Sequence, residues 1–454
     1  MTSETATPPA TPATALELLR SRSYLALLVL GTIVGIVVAV AAYFFLKLVA
    51  ETQQYVFTTL PDDLGFDGAP VWWPLPVLAL GGLVVGLAIH YLPGTGGHPP
   101  AEGFKPSGAV PPIELPGIIV AAFATLACGA VLGPEAPLIA IGSGMGVLAM
   151  HLIRRDAPQQ AVAVIAAAGS FAAISTLLGS PLTGAFLLME VSGIGGVMLG
   201  VVLIPGLLAA GVGSLIFIGL DSWTGFGTFS LAIPDIPTFT TPNVAEFLWA
   251  IAIGIAAAIL GSGIRRLGLL LQPVVEHRTV LLTPVAGLAV AALAIVFGQW
   301  TDKSASQVLF SGQDALPGLI QQAGTWTVGA LLLLIVCKGL AYGASLSAFR
   351  GGPTFPGMFI GAVGGIALSH LPGLPMIAGV AMGTGAMTVA MLGFPLTSVL
   401  LVLVFLQSDA IALTPLVIVA VIVSYVTSAH LAPSVEGDAV AGTSNEKIES
   451  SDKR

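Results

Sequence analysis

A Gly-Pro-x-x-Pro frame occurs twice in an otherwise apolar chain, and it constrains the fold more than any other feature. The first copy reads Gly133-Pro134-Glu135-Ala136-Pro137 and the second Gly352-Pro353-Thr354-Phe355-Pro356, 219 residues further on (352 − 133). Gly142, Gly146, His151 and Leu152 recur at the same offset as Gly361, Gly365, His370 and Leu371. A second block, Gly169-Ser170 followed by Leu178-Gly179-Ser180-Pro181-Leu182-Thr183, returns as Gly383-Thr384 and Leu392-Gly393-Phe394-Pro395-Leu396-Thr397, offset by 214 (383 − 169). Proline lacks an N–H and clashes with the preceding turn, so each frame interrupts a helix or opens one. Two long apolar halves sharing Gly/Pro-broken segments are the sequence mark of repeat-built transporters, whose site lies where the broken helices meet. The acid stands in only one frame, so function is expected to turn on Glu135.

Apolar residues make up 56% of the 454 and charged residues 8%, against roughly 25% charged in soluble proteins. No soluble fold buries that much apolar side chain, so the chain reads as an all-α polytopic membrane protein. The roughly ten-residue alternating segments of an outer-membrane barrel are absent. Apolar segments cover 24–50, 71–92, 116–131, 138–153, 158–178, 181–191, 196–219, 245–271, 279–299, 325–347, 357–371, 375–393, 395–406 and 410–432. Of these, 181–191, 357–371 and 395–406 are too short to span, and they are expected to be half-spanning or enclosed by protein.

The organisation expected from these runs is a Thr/Pro/Ala-rich tail with a short start helix over 1–22 and a transport core over 23–433. The core divides into a first repeat (24–220), a Pro-containing linker (221–244) and a second repeat (245–433), and a polar tail follows over 434–454. The first residues lack the basic start and apolar core of a signal peptide. Arg20 and Arg22 before the first span place the N-terminus in the cytoplasm. The net charge of −8 is spread over loops and tails, with no block that suggests nucleic acid. Cys128 and Cys337 lie in apolar runs and imply no disulfide.

Broken helices also suggest a ligand. A helix N-terminus carries roughly half a positive charge and leaves its first N–H groups unpaired, which favours anions. Glu135 and Thr354 each fall in the first turn of an expected helix. Two such ends converging at mid-bilayer make an anion site, and a glutamate at one end can occupy it as a tethered anion. Burial and a neighbouring anion both oppose its ionised form, so low pH is expected to favour opening.

At these residues the chain resembles the CLC family of chloride channels and proton–chloride antiporters, over most of 24–433. Glu135 within Gly133–Pro137 resembles the motif whose glutamate is the family's external gate. Gly351-Gly352-Pro353-Thr354-Phe355-Pro356 is similar to the loop whose backbone amides hold the central anion. Thr95-Gly96-Gly97-His98-Pro99 with Glu102-Gly103 is similar to the first anion-binding loop, and Ser180 through Glu190 to the helix that ends at the internal proton-pathway acids. The resemblance implies an inverted repeat of tilted and broken helices, and a homodimer with one independent pore per subunit in the lipid of a bacterial inner membrane. It implies proton-coupled exchange of chloride, with a passive chloride channel or a transporter of another small anion such as fluoride as alternatives, and no cofactor or metal. The site residues it implies are Glu135 as gate, Glu135 and Glu190 on the proton path, and Thr95, Gly96, Gly97, Gly133, Gly352, Thr354, Phe355, Arg350 and Tyr425 around the anion.

Several positions depart from the family's pattern. Gly96 stands where a serine hydroxyl is usual, with Thr95 beside it as a substitute. Pro134 replaces the arginine before the gate, and Arg350 stands ready to restore that positive potential. Pro353 has no N–H to donate. The internal proton-transfer glutamate aligns with Val191, leaving Glu190 next to it, and Tyr425 is the nearest stand-in for a C-terminal tyrosine. Glu190 could equally end a helix at the aqueous interface, and Lys338, alone in an apolar run, could serve a helix terminus, snorkel or attract anions. An intramembrane hydrolase would need a Ser–His, paired Asp or His-Glu-x-x-His set in its spans. No such pairing occurs, so the chain is not expected to be an enzyme.

Overall fold

The computed structural model describes residues 20–104, 108–193, 196–225, 239, 241–407 and 410–432. The two expected tails lie almost wholly outside the described residues, as does most of the expected linker. Helices account for nearly everything else. In chain order they are α1 (Arg22–Gln54), α2 (Pro74–Tyr91), α3 (Leu115–Ala127), α4 (Glu135–Ile153), α5 (Gln159–Leu178), α6 (Pro181–Ser192) and α7 (Gly196–Thr224). The second half supplies α8 (Val244–His277), α9 (Thr279–Trp300), α10 (Val328–Ala348), α11 (Thr354–Leu368), α12 (Met376–Leu392), α13 (Pro395–Leu406) and α14 (Ala410–Leu431). Among the described residues, nine helices are long and apolar enough to cross a bilayer.

Each apolar segment read from the sequence became one of these helices, with ends set by local chemistry. The segment over 116–131 stops being helical at Ala127 because Gly129 turns left-handed (φ +91°). α11 starts at Thr354, three residues ahead of its apolar run, because Pro353 sits at the N-cap with helix-compatible angles (φ −91°, ψ −2°). α7 continues to Thr224, inside the stretch expected as linker. α8 opens on a capping box in which the Asn243 side chain accepts from the Glu246 N–H and the Glu246 carboxylate accepts from the Asn243 N–H.

α6 and α13 have 12 residues each and α11 has 15. At about 1.5 Å per residue all three fall short of the roughly 30 Å hydrocarbon layer. Backbone ends left at that depth need protein partners.

The repeat is carried into the packing. α4 packs on α5, and α11 packs on α12. In the first pair Gly142 and Gly169 bring their backbones into contact, and in the second Gly361 and Gly383 do the same. A Cβ on any of the four would collide with the facing carbonyl. Lipid is as apolar as leucine, so membrane helices gain little from hydrophobic burial. Close backbone approach through small residues is what holds them together. α6 meets its repeat mate α13 across the molecule.

The candidate anion site

Two loops bring the repeats together. Gly133 and Gly352, which are repeat equivalents, exchange both backbone hydrogen bonds in an isolated antiparallel bridge: Gly133 N–H to Gly352 O at 2.8 Å and Gly352 N–H to Gly133 O at 2.6 Å. One residue beyond the following proline on each strand, a helix begins, α4 at Glu135 and α11 at Thr354.

Further bonds lace the halves. The Val131 N–H donates to Ser345 Oγ at 3.0 Å, and the Phe310 N–H donates to Gly129 O at 3.0 Å, so second-half residues hold the loop before Glu135. Reciprocally, the Arg350 N–H donates to Thr125 Oγ1 of α3 at 3.2 Å. Neither half has a complete site without the other.

Glu135 is fully buried (0% exposed) at the head of α4. Its Oε1 accepts from the Phe355 N–H of α11 at 3.0 Å, so the carboxylate of one repeat caps the helix of the other. The buried hydroxyl of Thr354 lies beside this carboxylate and has no other partner. The carboxylate lies against Gly133 and Gly352, where a Cβ on either glycine would overlap it. That makes room, in a water-poor interior, for one small charged group between two helix N-termini.

A cavity of about 560 Å³ leads up to this point. The loop Gly94–Pro100 lines it, as do Ala136 and Pro137 of α4, Val191 at the end of α6, and Arg350, Gly351 and Pro353. It reaches the residues flanking Glu135 and Thr354 but not those two themselves.

Gly94, Thr95, Gly96 and Gly97 all have positive φ (80°, 49°, 68° and 99°), a left-handed run that only a glycine-rich sequence adopts cheaply. A Cβ on Gly96 would also stand 2.9 Å from Ala121 Cβ and 3.4 Å from Arg350 Cγ. The serine usual in the family therefore does not fit this backbone. Thr95 lines the cavity and its carbonyl accepts from Arg350 Nε at 3.2 Å, which fastens the first loop to the second.

Arg350 is 6% exposed and its Nη1 donates to the Phe349 carbonyl at 3.2 Å. Among the described residues the ion pair formed is Lys47–Glu51, so no carboxylate lies within pairing distance of Arg350. Glu102 and Glu276 act on it from further away, each holding the Gln272 amide at 3.2 and 2.7 Å. A buried guanidinium on a cavity wall, without a contact anion of its own, lends that space a positive potential.

Glu190 is placed differently. At the end of α6 its Oε1 accepts from the Leu396 N–H at 2.9 Å, and its Oε2 accepts from the Thr397 N–H at 2.7 Å and from the Thr397 hydroxyl. It caps α13, while the cavity wall runs past its neighbour Val191. Tyr425 is 41% exposed on α14 and lies outside the cavity lining, because Ser424 takes the inward face and donates to Ala386 O at 2.7 Å. Lys338 neither snorkels nor faces the cavity. It is fully buried, and its three N–H donors are shared among four successive carbonyls, Gln307 through Phe310, at 2.9–3.2 Å.

Tyr342 was not anticipated. Fully buried on α10, it donates its hydroxyl to Pro353 O at 2.6 Å and so steadies the turn that opens α11. No local pattern marks it, because its partner is reached through the tertiary fold.

A family model described as voltage gated chloride channel matches residues 81–429. The chain belongs to that family. "Putative ion-transport protein YfeO" of Salmonella newport is 30% identical over 362 residues, which cover 78% of this chain and 84% of that one. The protein of the same name from Escherichia coli O7:K1 is 28% identical over 78% of this chain and 82% of its own. In fold, the chain resembles a slow cyanobacterial Cl−/H+ antiporter, with a TM-score of 0.71 at 20% identity, covering 89% of this chain and 94% of that one. It also resembles a CLC-type fluoride/proton antiporter, with a TM-score of 0.68 at 18% identity, covering 92% and 97%. The chain is therefore an all-α, multi-pass protein of the plasma membrane with the CLC fold, in an ion-transport family.

Proposed function

We propose that the protein moves chloride across the membrane through a path gated by Glu135, in exchange for protons, and that it works as a transporter rather than an enzyme. The observation that carries the reading is the capture of the α11 N-terminus by the Glu135 carboxylate at the closed end of the cavity. Ionised, the carboxylate occupies the place where the first-turn amides of α11 would hold an anion. Protonated, it loses the charge that competes for those amides, and an anion arriving from the Arg350 side takes them. A proton bound and an anion bound then alternate at one location, which is the minimum that exchange requires.

Gly133, Gly352 and Phe355 form the constriction, and Thr95, Gly96, Gly97 and Arg350 form the approach. Glu190 is the nearest acid to the inner end of the proton route, and Tyr425 has no part in this geometry. Each subunit of a homodimer carries a complete path, since both repeats of one chain supply it.

Chloride efflux from liposomes with simultaneous proton measurement is the direct test. Coupled movement of both ions supports exchange. Chloride movement without protons makes the protein a passive channel with the same gate. No anion movement at all refutes the transport reading. Substituting fluoride for chloride in the same assay decides between the two anions.

A further inference from the structure

We infer that the Thr354 hydroxyl is the side-chain hydrogen-bond donor to the transported anion, and that it sets a preference for small anions that accept hydrogen bonds strongly. The inference deepens the anion-transport reading above and rests on it.

A dehydrated anion held by backbone amides alone is discriminated weakly by hydrogen-bond strength. A hydroxyl, compact and freely rotating about its C–O bond, adds one directional donor. The first loop cannot supply it from Gly96, whose left-handed backbone and contact with Ala121 exclude a serine. Thr95 is exposed on the cavity wall, so its hydroxyl is not held in a desolvated place.

Thr354 is different on both counts. It is 1% exposed, and its Oγ1 has no partner other than the adjacent Glu135 carboxylate. It stands at the first position of the 15-residue α11, beside the carboxylate that occupies the place proposed for the anion. Valine would fill the same volume without a buried hydroxyl whose one neighbouring acceptor is the mobile carboxylate, so packing alone does not account for threonine here. The Thr354 hydroxyl and the Glu135 carboxylate lie side by side at the two helix starts, the carboxylate against Gly133 and Gly352. When the carboxylate leaves, the hydroxyl and the Phe355 N–H are the donors that remain. The hydroxyl then acts from the second loop, on the opposite side of the path from its usual place in the first.

The test uses the full chain in detergent and in liposomes, in a Glu135→Ala background so that any service of the hydroxyl to the carboxylate drops out. Chloride and thiocyanate are the probes, the first a strong hydrogen-bond acceptor for its size and the second a weak, diffuse one. Calorimetric affinities are compared for Thr354, Thr354→Ser and Thr354→Val, with gel filtration to check folding. Thr354→Val is expected to weaken chloride about tenfold, equivalent to about 1.4 kcal/mol, and thiocyanate less than about twofold. Thr354→Ser keeps the parent values for both. The liposome permeability ratio of chloride to thiocyanate falls in step for Thr354→Val.

Equal losses for both anions, or no loss for either, overturn the inference while leaving anion transport standing. A Thr354→Val protein that fails to fold shifts the decision to Thr354→Ala under the same criteria. A Glu135→Ala protein that binds neither anion, with wild type also silent, takes the transport reading down with it.

Discussion

Glu135→Gln replaces the proposed gate with a side chain of the same shape that never ionises. In wild type the ionised carboxylate accepts the Phe355 N–H at 3.0 Å in a fully buried setting with no paired cation. A hydrogen bond to a charged group is worth about 1.5–3 kcal/mol and a neutral one about 0.5–1.5. Glutamine therefore holds the α11 N-terminus less firmly by about 1–1.5 kcal/mol, which is roughly a tenfold advantage to a competing anion. The sign with pH follows from which form competes. Protonation of Glu135 removes the competing charge, so wild-type chloride flux rises as pH falls, by at most about tenfold per pH unit for one proton. Glu135→Gln is fixed in the uncharged form, so its flux is high and flat from acid to neutral pH. Glu135→Ala is also flat, and it frees the cradle of Gly133, Gly352 and the Phe355 N–H for an additional anion, visible as increased chloride stoichiometry in calorimetry. Chloride efflux from liposomes across that pH range, for all three proteins, is the assay. The same pH profile in wild type and both variants would refute Glu135 as the gate.

Arg350→Ala removes the buried guanidinium from the cavity wall and should weaken chloride binding by about 1–3 kcal/mol; a wild-type calorimetric affinity would take Arg350 out of the approach. Glu190→Gln should lower the thermal midpoint in detergent, because an amide cannot accept all three donors of α13. If Glu190 also lies on the proton route, proton movement stops while chloride flux persists, and unchanged proton flux in the folded variant removes it from that route. Lys338→Met strands four carbonyls of the 307–310 turn and should cost about 1–3 kcal/mol, read as a lower thermal midpoint or faster proteolysis.

The helices were legible in the sequence because each is an apolar run bounded by Gly, Pro or a capping side chain. That information is local. The repeat was legible too, and with it the expectation that Glu135 and Thr354 head matched helices. That the two broken ends meet was expected as well, but the contacts that hold them together were not. The Gly133–Gly352 bridge, the Glu135 cap on Phe355, the Glu190 cap on Leu396 and Thr397, and the Tyr342 hold on Pro353 carry no mark in the local sequence pattern. The Gly94–Gly97 loop was recognisable by its resemblance to a family motif, yet its positive φ angles and the closeness of Ala121 to Gly96, which together disfavour a serine there, are seen only in the fold. Lys338 could be read from its neighbours only as an isolated charge, since four carbonyls from another segment explain it.

The bridge between Gly133 and Gly352 joins a residue to its own counterpart. Such a contact maps onto itself under a half-turn, as isologous contacts between identical subunits do. A change made in both halves at once would preserve it, and a change in one half alone would not. Two residues further along each strand the correspondence breaks, with a carboxylate on one side and a hydroxyl on the other. The halves thus share a self-matching backbone contact and differ in the side chains set around it, Glu135 against Thr354 and Arg350 against Val131.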